Sequence, residues 1–395
     1  MRRLPTVPLI LTGFAAFLDL YATQPLLPLF ARVFRASAFE VSLTVTAPTV
    51  AVAVSAPFVG RLADRLGLRR VIVGSAFALA VATALAATSS TLSQVIWWRF
   101  VQGVVTPGIF ASAIAYIHEV WPPSHAGRAT AAYMTGTIVG GFTGRAVAGL
   151  VAADVSWVAA FVALATLNLL VAIALAVRLP AEPRAPAAHH ARHRRGALHD
   201  HLRNRQLLTT YAVGFCVLFT QVAIFTYVTF HLAAPPFALS TVALGWLFVV
   251  YLVGAIATPF AGRWIDAYGH RLGIGLAMGV GAAGALVTLA PSLIAIVCGL
   301  AMCATGVFIA QATTSSYIGA VTTRDRALAV GMYSTFYYAG GSTGAALPAA
   351  LWSRGGWPAC VALVVVVQCV GGAIAFTQWS RVAAPPDSAL PEAGV

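Results

Sequence analysis

Lysine is absent from this chain of 395 residues, and charged residues of every kind make up only 9% of it. A soluble domain carries roughly 25%. So little charge cannot clothe a water-exposed surface, which excludes a soluble enzyme, a nucleic-acid reader and a disordered scaffold. Acidic residues are scarcest, 11 against 24 arginines. Cysteine is nearly missing. The five present (Cys216, Cys298, Cys303, Cys360 and Cys369) all fall in apolar stretches without metal-ligand spacing, so they are expected to be buried apolar thiols. No phosphate-binding P-loop occurs, which leaves ATP-driven transport by this chain unsupported. No histidine metal motif or Ser/Lys pair lies in the apolar stretches, so neither an enzyme, a metal nor a cofactor is expected.

What the chain does have is hydrophobic: 59% of residues, with a mean hydropathy of +0.85. A bilayer core needs ~20 apolar residues per helix. Twelve stretches qualify, at about 7–30, 41–61, 71–88, 94–117, 129–151, 157–178, 207–230, 240–260, 273–290, 293–318, 328–350 and 357–378. The alternation of a membrane barrel is missing, so the expected fold is an all-α polytopic membrane protein. With the N-terminus inside, nineteen arginines fall in cytoplasmic segments and only Arg32, Arg35 and Arg354 in outer loops. Cationic loops stay cytoplasmic, so both termini are expected inside and the basic excess marks topology. The first apolar stretch follows Arg2-Arg3, but its length, Asp19, Pro25 and the lack of a small-x-small site argue for a retained span rather than a signal peptide. Trp121, Trp157, Trp264, Trp352, Trp357 and Trp379 near span ends suit interfacial anchoring.

The chain also repeats itself. Pro57, Gly60, Asp64, Gly67 and Arg69 recur 202 residues later as Pro259, Gly262, Asp266, Gly269 and Arg271. Tyr133, Gly140, Gly141, Thr143, Gly144 and Trp157 recur 200 residues later as Tyr333, Gly340, Gly341, Thr343, Gly344 and Trp357. The expected organisation is a six-helix bundle over 1–178, a cytoplasmic linker at 179–206, a second bundle over 207–378 and a disordered tail at 379–395. The His- and Arg-rich linker around His189–Arg195 suits contact with anionic lipid better than metal binding. Parallel six-helix repeats place a site between the halves and permit alternating access by rocking.

Three motifs carry a family resemblance. The run from Gly60 to Arg70 (GRLADRLGLRR) resembles the loop between the second and third helices of the major facilitator superfamily. Arg99-x-x-Gln102-Gly103 resembles its fourth-helix motif, and Gly140-x-x-x-Gly144 the glycine spine of its fifth-helix antiporter motif. Gly140–Arg145 and Ser315–Gly319 are similar to the bacterial YnfM-type branch, related to drug–proton antiporters. The resemblance implies the major facilitator fold, two six-helix repeats with twelve transmembrane helices, in the bacterial inner (cytoplasmic) membrane. It implies a monomeric secondary transporter that exchanges a small organic molecule for protons, with lipid as its surroundings and no nucleic acid. Arg145 departs from the broader antiporter pattern, which has proline there, and this weakens the hinge expected of the fifth helix.

Roles follow for single residues. Asp19 is the only acid deep inside a span, a placement that costs ~3 kcal/mol on insertion scales. It can change charge, which arginine cannot, so Asp19 is the candidate proton carrier with Arg99 and Arg145 as its cationic neighbours; a structural Asp–Arg pair is the alternative. At 1.5 Å per residue Asp19 lies roughly 18 Å into its span, and Arg99 and Arg145 about 8 and 9 Å from the outer ends of theirs, which are overlapping depths. Arg145 has two readings, facing the cavity or snorkelling to the outer interface. If it faces the cavity, two fixed cations favour an anionic substrate, and an importer or uniporter of an organic anion held by Arg99 and Arg145 is the competing function. Thr23, Gln102, Gln221, Tyr227, Gln311, Tyr333 and Tyr337 are candidate cavity residues, since such pockets combine apolar walls with a few polar groups. In the charged loop, Gly60 and Gly67 give backbone freedom, while Asp64 either pairs with Arg65, Arg69 and Arg70 or caps the eleventh helix as a latch between the halves; Asp266 is its counterpart.

Overall fold

The structure is a computed structural model that describes residues 6–182, 203–257, 268–322 and 326–379. Asp266, Trp264, the His-rich linker and the tail beyond Trp379 lie outside them. The helices are α1 (Val7–Leu18), α2 (Leu27–Val33), α3 (Ala38–Leu66), α4 (Leu68–Ala86), α5 (Leu92–Val120), α6 (Pro123–Asp154) and α7 (Trp157–Arg178) in the first half. The second half holds α8 (Arg205–Ala233), α9 (Thr241–Ala257, tightened to a 3-10 turn at Leu247–Val249), α10 (His270–Val287), α11 (Leu293–Val321), α12 (Arg326–Ala346) and α13 (Pro348–Gln378). Among the described residues nine of these are long and apolar enough to cross a bilayer. Of the other three expected spans, α1 is broken after Leu18, α9 is described only as far as Ala257, and α12 carries a run of Ser, Thr, Tyr and Gly.

Hydroxyls set the helix starts. Ser37, Thr91, Ser156 and Ser240 each accept a bond from the backbone N–H three residues on, capping α3, α5, α7 and α9, and Glu40 closes a capping box with Ser37. A side-chain oxygen there satisfies a donor the helix itself leaves open. At the opposite end Gly67 turns α3 into α4 with φ at 88°, a left-handed value glycine adopts without strain.

The sequence repeat becomes a structural one. Arg69 donates to the Leu179 carbonyl at the end of α7, and Arg271 donates to the Trp379 carbonyl at the end of α13. Glycines fit each half together in the same way. Gly136, Gly140 and Gly144 of α6 sit against the carbonyls of Ile10, Phe14 and Leu18 of α1, and Gly340 and Gly344 of α12 against those of Phe215 and Phe219 of α8. Small residues at such crossings let helix backbones meet where lipid supplies no hydrophobic drive. A Gly144→Ala change puts its Cβ into the Leu18 carbonyl and is expected to cost about 1–3 kcal/mol. Gly60→Ala meets nothing and is expected to be neutral or to stabilise by up to about 1 kcal/mol. Thermal unfolding of the purified variants in detergent, followed by tryptophan fluorescence, separates the two.

Three tryptophans expected as interfacial anchors are buried instead. Trp121 packs on Tyr116, the Trp357 indole donates to the Thr288 carbonyl, and Trp379 stacks on Tyr317 at 4.1 Å. Specific partners hold these rings more strongly than the headgroup layer does. Cys298 and Cys369 are likewise on the surface of their helices, while Cys216, Cys303 and Cys360 are buried.

Contacts between the halves gather at the end that bears Ser37, Ser156 and Ser240. Ser342 of α12 donates to Thr49 of α3 at 3.1 Å, Phe142 of α6 meets Trp246 of α9, and Gly149 of α6 lies against Thr241 and Gly245. Deeper in, Phe110 stacks near Tyr338. Gln24 donates to Thr226 at 3.2 Å, and these two residues are 202 apart. The bond joins the broken first span to α8, the helix that begins the second half.

Candidate functional site

The site begins with prolines. Pro25 and Pro28 have no N–H to offer the preceding turn, so the first span cannot continue as an α-helix. Between Asp19 and Leu26 its ladder tightens to i+3 bonds, Ala22 to Asp19, Gln24 to Tyr21 and Leu26 to Thr23. That leaves the Leu20 carbonyl without its i+4 donor, which goes to Tyr21 instead, and the Asp19 carbonyl with its single i+3 bond, deep in the protein. In α3, Pro48 does the same to the Thr44 carbonyl.

Arg99 supplies the missing donors. Its Nε reaches the Thr44 carbonyl at 2.9 Å, Nη1 the Asp19 carbonyl at 2.8 Å and Nη2 the Leu20 carbonyl at 2.7 Å. Nη1 also donates to Gln102 Oε1 at 2.5 Å, and Gln102 Nε2 passes the chain on to Thr83 at 3.0 Å. Gly103 completes the motif by sitting against Pro48, with no room for a Cβ. The Arg-x-x-Gln-Gly motif divides its work: the fork fills the gap that Pro48 leaves at Thr44 and ties the break in the first span, the amide extends the network, and the glycine lets α5 approach. Arg99 is wholly buried.

Asp19 meets this knot through its backbone and through a separate carboxylate arrangement. Its Oδ2 accepts from the Thr83 hydroxyl of α4 and from Asn168 Nδ2 of α7 at 2.9 Å. Oδ1 has no hydrogen-bond partner, and neither has Asn168 Oδ1. Among the described residues Asp19 is the only buried carboxylate. Thr23 is buried beside it and accepts from Thr44 at 3.3 Å.

Arg145 occupies a different place. It is 3% exposed, so it is not at the outer interface. Its Nε donates to Gln24 Oε1 at 2.8 Å and Nη1 to the Gly141 carbonyl at 2.6 Å. The guanidinium carbon lies over three rings, Phe248 at 4.6 Å, Tyr21 at 5.1 Å and Tyr251 at 5.1 Å. Tyr21 belongs to the first half and the other two to α9 of the second. The structure therefore brings Asp19 and Arg99 together and sets Arg145 apart, in an aromatic cage between the halves.

The remaining candidates divide. Gln221 lies against the Tyr251 hydroxyl beside this cage. Tyr333 and Tyr337 form a ladder of rings with Tyr338. Tyr227 lies where the halves meet, its hydroxyl donating to the Ala345 carbonyl at 2.8 Å beside Ser42 of α3 and its ring against Trp352. Gln311 is half-buried on α11. In the charged loop, Gly60, Asp64, Arg65 and Arg70 are exposed, and Arg69 is tied to the Leu179 and Ala176 carbonyls. Glu182, which the sequence did not single out, caps α4 by accepting from the Leu68 N–H at 3.0 Å. Thr83, Asn168, Tyr21 and Gln24 were also missed. Asn168 had a signal: it is one of two asparagines in the chain, set in a strongly apolar span.

Two helical bundles, joined at one end around buried polar clusters, define a membrane carrier rather than an enzyme. The chain belongs to the Major Facilitator Superfamily, whose family model matches residues 9–235 and 229–394. It is 29% identical over 364 residues to the MFS-type transporter YybF of Bacillus subtilis, covering 91% of this chain and 89% of that one. It is 28% identical over 380 residues to the inner membrane transport protein YnfM of Escherichia coli, covering 93% and 89%. Among solved structures it resembles a bacterial homologue of the human lysosomal transporter Spinster in an inward-facing, occupied conformation, with a TM-score of 0.77 at 15% identity over 94% of this chain and 95% of that one. The protein is a multi-pass membrane transporter of this superfamily.

Proposed function

We propose that this protein exports a small organic compound in exchange for protons, by alternating access, with Asp19 as the group that carries the proton. The observation that supports this most is the burial of Asp19 at the break in the first span, held at Oδ2 by two neutral donors with Oδ1 unpartnered. A carboxyl in that setting exists in two protonation states without unfolding its surroundings. Arg99 fixes the break from the other side and leaves the carboxylate itself without a fork of donors to hold it ionised. The arginine distribution supports an orientation with both termini in the cytoplasm of an inner membrane, the protein acting as a monomer.

In that orientation the end closed by Ser342–Thr49 and Gly149–Gly245 is the outer one, and the exposed Asp64 is cytoplasmic. Asp64 and its neighbours Arg65, Arg69 and Arg70 then latch the halves in the opposite, outward-facing state, with Asp266 as the weaker counterpart. Import of an organic anion by Arg99 and Arg145 together is disfavoured, because four donors of Arg99 are spent on the protein.

The test starts from resistance and growth profiles of strains that overexpress or lack the protein, which identify a transported compound. In proteoliposomes its flux is expected to rise with an imposed pH gradient and to fall when a protonophore collapses it. Wild-type flux indifferent to the gradient overturns the coupling.

A further inference from the structure

We infer that Arg145, together with the hydroxyl of Tyr21, is the seat for a carboxylate on the transported molecule, which is therefore an organic anion with a flat apolar body. This rests on the transport reading and names the substrate class it left open. Three observations carry it.

Arg145 is a buried cation without a counter-ion among the described residues. Its oxygen contacts are the neutral Gln24 amide and the Gly141 carbonyl, which use two of the five donors of a guanidinium. Those two contacts hold the side chain on its own helix and leave the rest of the fork aimed among the rings. The Tyr21 hydroxyl, in the ring beneath that fork, is buried and has no hydrogen-bond partner. A carboxylate accepting from an arginine fork and a phenol is an ordinary charge-assisted arrangement.

The cage is also divided between the moving parts. Arg145, Gln24 and Tyr21 belong to the first half, while Phe248 and Tyr251 belong to the second. Rocking that opens this end withdraws the second pair and strips the cation of two of its three rings. A charge at that depth needs water, a counter-charge or a ligand in their place. An anion fills the gap against Tyr21, the ring of the first half that stays with the cation, and the face of that ring suits a planar apolar body. A cationic compound meets a fixed like charge instead.

The test uses the full-length protein purified in detergent and a matched set of probes: benzoate, phenylacetate and 3-phenylpropionate, with benzamide as the neutral and benzylammonium as the cationic counterpart. Binding is read by calorimetry and by the shift in thermal unfolding. At least one carboxylate is expected to bind saturably at millimolar concentration or below, and benzamide and benzylammonium are not. Arg145→Gln is expected to weaken that carboxylate by about tenfold to a hundredfold, the worth of a charge-assisted contact. Should Arg145→Gln fail to fold, Tyr21→Phe keeps the ring and deletes only the unpartnered hydroxyl, with an expected loss of about threefold to tenfold. The assignment is overturned if no carboxylate binds, if the neutral or cationic probe binds equally well, or if the folded variants bind like wild type. The transport reading fails separately: a carboxylate that binds through Arg145 yet shows no gradient-driven flux keeps the seat and removes the proton coupling.

Discussion

Asp19→Asn is expected to abolish the proton-driven part of transport while leaving exchange of substrate across the membrane partly intact. An amide has the shape of a carboxyl and its oxygen accepts from Thr83 and Asn168 as Oδ2 does now. Its NH2 falls where Oδ1 has no partner, so no existing bond is lost. The fold therefore survives, in a form that imitates permanent protonation. A carrier that must load and release a proton on each cycle stalls under a pH gradient, but one that only swaps substrate for substrate does not. The measurement compares gradient-driven accumulation with counterflow in proteoliposomes of the two proteins. Coupling that persists in the Asp19→Asn protein removes Asp19 from the mechanism and returns it to a purely structural part beside Arg99.

Arg99 variants are expected to show the largest loss of stability, and lysine is not expected to rescue them. Four bonds leave the guanidinium in three directions, to α3, to the broken first span and to Gln102. An ammonium is a single point with three donors and cannot reach carbonyls on two separate helices at once. Arg99→Ala strands the Thr44 and Leu20 carbonyls and leaves the Asp19 carbonyl with only its Ala22 bond, at about 1–3 kcal/mol for each stranded buried acceptor. Arg99→Lys keeps the charge and loses at least one charge-assisted bond, worth about 1.5–3 kcal/mol. Yield of folded protein and unfolding temperature in detergent read both. If the lysine variant matches wild type, positive charge alone is what the break requires, and the account of Pro48 and the freed carbonyls is wrong.

That account joins features that look unrelated along the chain. Pro25, Pro28 and Pro48 each remove a backbone donor, and Arg99 lies more than fifty residues from the carbonyls it serves. A polar network of this kind rigidifies the first bundle around the break in its first span. Among the described residues the second bundle has no equivalent, and valine stands at position 250 where the repeat would put the proline of α3. The asymmetry puts the buried charged residues of the described chain, Asp19, Arg99 and Arg145, all in the first bundle.

Composition and order along the chain determined the class of the molecule. Charge at 9% forces the helices into lipid, the 200- and 202-residue repeats force two bundles, and the motifs around Gly60 and Arg99 point to the superfamily. Burial was legible for the same reason, because a charge within a span has little access to water: Asp19, Arg99 and Arg145 were expected inside spans and were found buried. Which neighbour each one meets was not legible. Direction around a helix axis, and the approach of one helix to another, depend on contacts from segments distant in sequence. Only the assembled bundles show Asn168 and Thr83 on the Asp19 carboxylate, Arg99 on backbone carbonyls rather than that carboxylate, and Arg145 caged by rings of the opposite half. A buried charge is costly wherever it stands, so the sequence exposes its presence, but the partner that makes it tolerable is chosen by packing.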